Sequence, residues 1–289
     1  MLRASSLIAL LTSVWLVACG ETHVVLLEPL AGQGGAGAPV DVSVAGNGGI
    51  GGALTGNSGG EAGAPPTMNF GHLIHRYTFD GEGTLVVDSV GSADGSLMGG
   101  AMLDGAGHVT LDGTDDYVNL PKGVISGLTD VTLIAWLAWN GSRACWQRAF
   151  DFGSSDAGEG NVGNATSSLF ATPLRCPGTG PATAFETKDG IRSSVDSDAP
   201  FPVLNNAELA VVVDSKAQEL RLYAAGELLG TGKGVSLTQL TVENAWLGRS
   251  QWVQDPALRG TYDEFRIYDA VLTDAELAAL AAGPDALER

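Results

Sequence analysis

Ten residues, Asp130-Val-Thr-Leu-Ile-Ala-Trp-Leu-Ala-Trp139, are apolar on both parities and stop at Asn140-Gly141. Alternate side chains of a strand point to opposite faces, so this segment predicts a central strand covered on both sides. Asn-Gly is a strong turn signal. Around it lie further runs of β-formers bounded by Gly and Asp. They include Leu73-Ile-His-Arg-Tyr-Thr-Phe79, Gly107-His-Val-Thr-Leu111, residues 208–214 and residues 219–224. In the last of these Leu220 and Leu222 face one way and Arg221 and Tyr223 the other, and Ala225-Gly226 makes the next turn. Residues 146–152 and 168–174 read as the arms of one hairpin, 245–249 as a short strand and 261–268 as the closing strand. Many short strands separated by turn residues predict an all-β, two-sheet antiparallel sandwich rather than βαβ units. One short C-terminal helix is expected: Thr273-Asp-Ala-Glu276 is a capping box, Leu277 and Leu280 form the apolar stripe, and Gly283-Pro284 ends it.

The amino terminus is of another kind. Arg3 is the only early charge, a largely apolar run follows from Leu7 to Val17, and Leu16-Val-Ala-Cys19-Gly comes next. That pattern describes a secretory signal, and the run is too short to cross a bilayer. Cys19 after Leu-Val-Ala resembles the bacterial lipoprotein box, with residues 1–18 as the signal peptide and Cys19 as the acylated residue. The alternative is an ordinary signal with a chance Cys. Between Ala31 and Gly63, 13 of 33 residues are Gly and the only charges are Asp41 and Glu61. Such a segment cannot offset its ordering entropy, so residues 19–69 are expected to be a flexible tether with a reach of about 40 Å. Residues 70–289 then form the folded domain. The expected location is the bacterial cell envelope, lipid-anchored, at the outer membrane or cell surface if the source is Gram-negative.

A net charge of −18 argues against nucleic acid and anionic headgroups as partners. His23, His72, His75 and His108 show no zinc spacing. The hairpin register expected for residues 146–152 and 168–174 sets residue 152 near residue 168. Cys145 then falls one residue from Cys176, within reach of a disulfide given a bulge; the alternative is two free thiols.

Seven blocks in order resemble the laminin G-like (concanavalin A-like) jelly-roll family, over about residues 70–282. They are His75 to Phe79 with Asp80-Gly-Glu-Gly, Asp88-Ser-Val-Gly and Asp94-Gly95; Asp112-Gly-Thr-Asp-Asp-Tyr-Val; Thr132-Leu-Ile-Ala-Trp136; Arg148-Ala-Phe-Asp-Phe-Gly153; Leu222-Tyr-Ala-Ala-Gly226; Trp246-Leu-Gly-Arg-Ser250; and Gly260-Thr-Tyr-Asp-Glu-Phe-Arg-Ile-Tyr268. The resemblance implies a jelly roll and a binding or structural module. It also implies one Ca²⁺ where the first loop meets the last strand, carried over by motif to Asp88 and Asp263 with the loop near Asp94; the other reading makes these Asp residues turn-formers. Hydrolases on this sandwich place Glu-x-Asp-x-Glu along one strand so that both working carboxylates share a face. No such run exists here: Glu186-Thr-Lys-Asp189 and Asp263-Glu264 have the wrong parity or partners.

Trp252 stands in the polar loop Arg249-Ser-Gln-Trp-Val-Gln-Asp-Pro256. It is a candidate for stacking on a sugar ring, with Gln251 and Gln254 as hydrogen-bonding neighbours, or else a lid folded onto the core. The expectation is a monomeric, non-enzymatic surface binding module for a glycan or an envelope or matrix protein. The alternatives are a structural lipoprotein without a dedicated ligand and a diverged glycoside hydrolase. In a bacterial host the chain should incorporate labelled fatty acid and enter membranes, and Cys19→Ser should do neither; equal labelling of the two would remove the anchor.

Overall fold

The structure is a computed structural model that describes residues 72–190 and 192–285. The expected signal peptide and tether, with Cys19, lie outside the described residues. Strands β1 (Leu73–Tyr77), β2 (Glu82–Gly83), β3 (Leu85–Val86), β4 (Gly95–Met98), β5 (Leu103–Asp104), β6 (Val109–Asp112) and β7 (Tyr117–Leu120) are short and separated by turns. Longer ones follow: β8 (Val131–Trp139), β9 (Phe150–Ser155), β10 (Ala165–Thr172), β11 (Ala182–Glu186), β12 (Arg192–Asp196), β13 (Ala207–Asp214), β14 (Glu219–Ala224) and β15 (Glu227–Lys233). The chain ends with β16 (Asn244–Leu247), β17 (Arg259–Tyr268) and helix α1 (Asp274–Leu280).

These strands make two antiparallel sheets packed as a jelly roll. The first runs β15-β14-β13-β8-β17-β6-β5-β2, with β1 also paired to β17; the second runs β12-β11-β10-β9-β16-β7-β4-β3. β17 is long enough to pair β8 along one side while meeting β6 and then β1 along the other. Leu133, Ala135 and Leu137 of β8, Val211 of β13 and Leu222 of β14 point between the sheets, against Phe150, Phe152, Leu169 and Phe185 of the second sheet. The rings of Phe150, Phe152 and Phe265 meet there at 5.8–6.0 Å.

The opposite parity explains why β8 is apolar throughout. Ile134 and Trp136, with Ala210, Val212, Tyr223 and Tyr268, form a second cluster outside the first sheet, closed by Leu272, Leu277 and Leu280. Trp136 and Trp139 thus project to opposite sides, as their spacing predicts. A helix of seven residues is too short to stand alone in water. Here the Thr273–Glu276 capping box satisfies its first turn. Thr132 Oγ1 ties down the approach to it, donating to the Ala270 carbonyl at 2.7 Å and accepting the Leu272 N–H at 3.1 Å.

Two details depart from the sequence expectations. The hairpin pairs Phe152 with Leu169 rather than with Ser168, because a bulge between Ala165 and Ser167 moves the register by one. Continued outward, that register sets Cys176 opposite Cys145, and the two form a disulfide with Cα atoms 5.7 Å apart. Strands β11, β12 and β15, and the short β2 to β5, are additional to those the sequence predicts. The turn at Ala225-Gly226, with φ of 48° and 78°, is the geometry of a tight hairpin, so β15 is its required return arm.

Glu208 shares the outer parity of β13 and lies across from Trp136. It is fully buried, and neither its oxygens nor Trp136 Nε1 has a hydrogen-bond partner among the described residues. Burial pushes its carboxyl up to about 8. Because the folded value lies above the unfolded one of 4.5, stability is fully present below the unfolded value and is lost as pH rises to about 8. Urea unfolding should show this fall of a few kcal/mol, and Glu208→Gln should flatten it. An unchanged slope in the variant would acquit Glu208.

Candidate functional site

Alternation along β9 sends Phe150 and Phe152 inward and Asp151 onto the outer face of the second sheet. Residues 249–258 fold back across that face and bury it. Asp151 Oδ2 accepts the Gln251 N–H at 3.0 Å and Oδ1 accepts the Ser168 hydroxyl at 2.8 Å. Arg148 Nε donates to Asp151 at 3.4 Å, and Nη2 donates to Asp255 Oδ2 at 2.6 Å. The guanidinium lies 3.8 Å from the Phe170 ring centroid, a cation–π contact made in a dry setting. Burial pushes the Asp151 carboxyl above its ordinary range, against the pull of Arg148 and the Gln251 N–H. Burial lowers Arg148 as well, but a guanidinium keeps its proton.

The loop so held leaves a cleft on each side. One, of about 450 Å³, is bordered by Asp115, Asp116, Tyr117, Arg249, Trp252 and Val253. Arg249 sits 4.4 Å from the ring centroids of both Tyr117 and Trp246. The other, of about 230 Å³, is bordered by Trp146, Phe170, Glu186, Arg192, Trp252 and Gln254. Trp252 and Asp255 line both. The backbone around Trp252 is fixed: Gly163 N–H donates to the Gln251 carbonyl at 2.9 Å and Val253 N–H to the Gly163 carbonyl at 2.8 Å.

Of the loop residues expected at a sugar site, Trp252 is half-buried and walls both clefts, and Gln254 is exposed at the smaller one. Gln251 is a correction. It is fully buried, accepting from Asn244 Nδ2 at 2.9 Å and donating to the Asp151 carbonyl at 3.4 Å, so it fastens the loop instead of facing a ligand. Sequence reading passed over Arg148 and Asp151. The available signal was a pair of charges inside Arg148-Ala-Phe-Asp-Phe-Gly153, a segment otherwise fit for a core, where charges stand only when paired.

Of the expected cation ligands, Asp94 stays beside Asp88, whereas Asp263 takes other partners. Asp88 Oδ1 accepts the N–H groups of Arg76, Val90 and Gly91, and Oδ2 takes the Ala93 N–H and His75 Nδ1 at 2.6 Å. Asp94 Oδ1 accepts the Asp88 N–H. Asp263 pairs instead with Asn206 at 2.8 Å and His108 at 3.3 Å. Donors already surround Asp88 on both oxygens, and an N–H aimed at a carboxylate takes the place a cation needs. Among the described residues, the one trio of possible ligand side chains with atoms within 4.8 Å of one another is Asp112, Asp115 and Asp116.

The Laminin_G_3 family model, described as the concanavalin A-like lectin/glucanases superfamily, matches residues 112–278. No curated protein matches the chain. Among solved structures, domain 4 of AbnA, a GH43 extracellular arabinanase from Geobacillus stearothermophilus, in complex with arabinotriose, superposes with a TM-score of 0.52. Identity is 18%, over 72% of this chain and 98% of that one. A Trypanosoma rangeli sialidase superposes with a TM-score of 0.51 at 13% identity, over 76% of this chain and 35% of the sialidase. At these identities the likeness is one of fold.

Burial alone would raise Asp88, but the N–H groups of Ala93 and Gly91, then His75 and Arg76, overcome it and hold the carboxyl at about 2. Its contribution is therefore present above the unfolded value of 3.8 and lost as pH falls through about 2. Asp88→Asn should cost roughly 2 kcal/mol at neutral pH, and almost nothing in strong acid. The cost should be equal in Ca²⁺ and in chelator; a loss seen only with Ca²⁺ present would return Asp88 to the metal-ligand role.

Proposed function

This chain belongs to the concanavalin A-like lectin/glucanase superfamily, and on that premise we propose that it is a non-enzymatic carbohydrate-binding module held at the bacterial cell envelope through acylated Cys19. The observation that carries the reading is Trp252, fixed on a pinned loop with a cleft on either side. An aromatic ring between clefts that mix apolar and polar lining suits a sugar, whose faces are apolar and whose rim is hydroxyl. The AbnA domain of like fold holds arabinotriose, which supports the class of ligand. Net charge favours an uncharged glycan over a polyanion.

A diverged hydrolase is the competing reading, since the sialidase shares the fold. Against it stands Asp151. The carboxylate at the centre of the outer face is sealed under the loop and already engaged by donors, so it cannot reach a glycosidic bond.

Glycan-array and calorimetric titration of the full-length chain in mild detergent should reveal weak binding of neutral glycans with no release of reducing sugar. Trp252→Ala should weaken binding about tenfold or more, the equivalent of roughly 1.4 kcal/mol, with little change in melting temperature. A variant that loses several kcal/mol of stability instead would make Trp252 a core residue and end this reading of the loop.

A further inference from the structure

The smaller cleft contains an outlier that the loop does not explain. Trp146 has φ of 68°, in the left-handed region where a bulky residue is a genuine exception. Strain of this sort persists only where the surroundings over-determine it, and it gathers at ligand sites. Four restraints hold Trp146. Cys145 before it is bridged to Cys176. Its N–H donates to the Leu174 carbonyl at 2.8 Å, and its own carbonyl accepts from Arg148 Nη1 at 3.2 Å. Its ring meets Phe170 edge-on at 6.4 Å and 84° and remains partly exposed to the cleft.

The same cleft is bordered by Glu186 and Arg192, register partners on β11 and β12. Neither forms an ion pair or side-chain hydrogen bond among the described residues. An unused carboxylate and an unused guanidinium beside an aromatic wall match a ring with adjacent hydroxyls. One hydroxyl accepts from the guanidinium, and the next donates to the carboxylate. The pair itself carries no net charge, and the chain's charge of −18 disfavours an anionic sugar, so the cleft suits an uncharged ring.

We propose that the smaller cleft is the ring-binding subsite for a neutral sugar, with Trp146 as the stacking residue and Glu186 and Arg192 as the hydroxyl-recognising pair. Resting on the carbohydrate reading above, it adds the ligand's form. Trp252 and Asp255 border this cleft and the larger one alike, so a chain seated on Trp146 continues past Trp252, and the ligand is an oligosaccharide rather than a single sugar.

The test is titration of the full-length chain with neutral arabino-, xylo-, cello- and manno-oligosaccharides, each from monomer to hexamer. Affinity should rise with length. Trp146→Ala should weaken monomer and oligomer alike by about tenfold, whereas Trp252→Ala should weaken the longer chains more. Arg192 is exposed, so Arg192→Gln leaves the fold intact and should still lower affinity several-fold, as should Glu186→Gln. Full affinity in Arg192→Gln and Glu186→Gln, with Trp252→Ala still impaired, would overturn the subsite and leave the carbohydrate reading standing. Equal affinity for monomer and hexamer would overturn the chain-spanning form of the ligand. Failure of the wild-type chain to bind any of these sugars would overturn the reading beneath both.

Discussion

Arg148 lies between the second sheet and the loop that crosses it, over the Phe170 ring and paired with both Asp151 and Asp255. Asp151 is three residues away and Asp255 is 107 residues away, so this one guanidinium ties strand β9 to the far end of the chain. Burying such charges costs several kcal/mol per ion unless every lone pair and proton is met. Here the Trp146 carbonyl, the Ser168 hydroxyl and the Gln251 N–H meet what the ions themselves leave over. Loss of one partner would strand the others, which makes the loop conformation and the sheet surface a single unit. The clefts on both sides of Trp252 exist only while that unit is closed.

The two outer faces of the sandwich are covered in different ways, and only one of the covers leaves clefts. Over the first sheet the cover is apolar: Leu272, Leu277 and Leu280 seal Trp136, Val212 and Tyr223, and each fully buried aliphatic side chain contributes about 1.5–3 kcal/mol. A seal of that kind leaves no room for a ligand. Over the second sheet the cover is a polar loop pinned at a few points, so space remains beside it, lined by aromatic rings and, at the smaller cleft, by Glu186 and Arg192.

Much of the acidity is structural. Asp88, Asp104, Asp112 and Asp156 each accept backbone N–H groups from their own or a neighbouring loop, and all four are held below the ordinary carboxylate range. A sandwich built from many short strands has many turns, and an Asp that caps a turn satisfies donors that would otherwise need water. At Asp88 four backbone N–H groups reach the two carboxylate oxygens, the arrangement of a turn-former.

What the sequence determined by itself was whatever is written within a few neighbouring residues. The double-sided strand β8, the alternation in β14, the Thr273–Glu276 cap and the closing strand β17 follow from period and turn chemistry, and each stands where those signals place it. Cys145–Cys176 was legible to within one residue, the error being a bulge that no local pattern marks. Only the tertiary structure decided which polar side chains face solvent. Gln251 and Trp252 are adjacent in one polar loop, yet one is sealed against Asp151 and the other borders both clefts. Nothing in their neighbours distinguishes them, because the partner that buries Gln251 lies 100 residues away. Exposure depends on what folds over a side chain, and that cover is set by the packing of the whole sandwich.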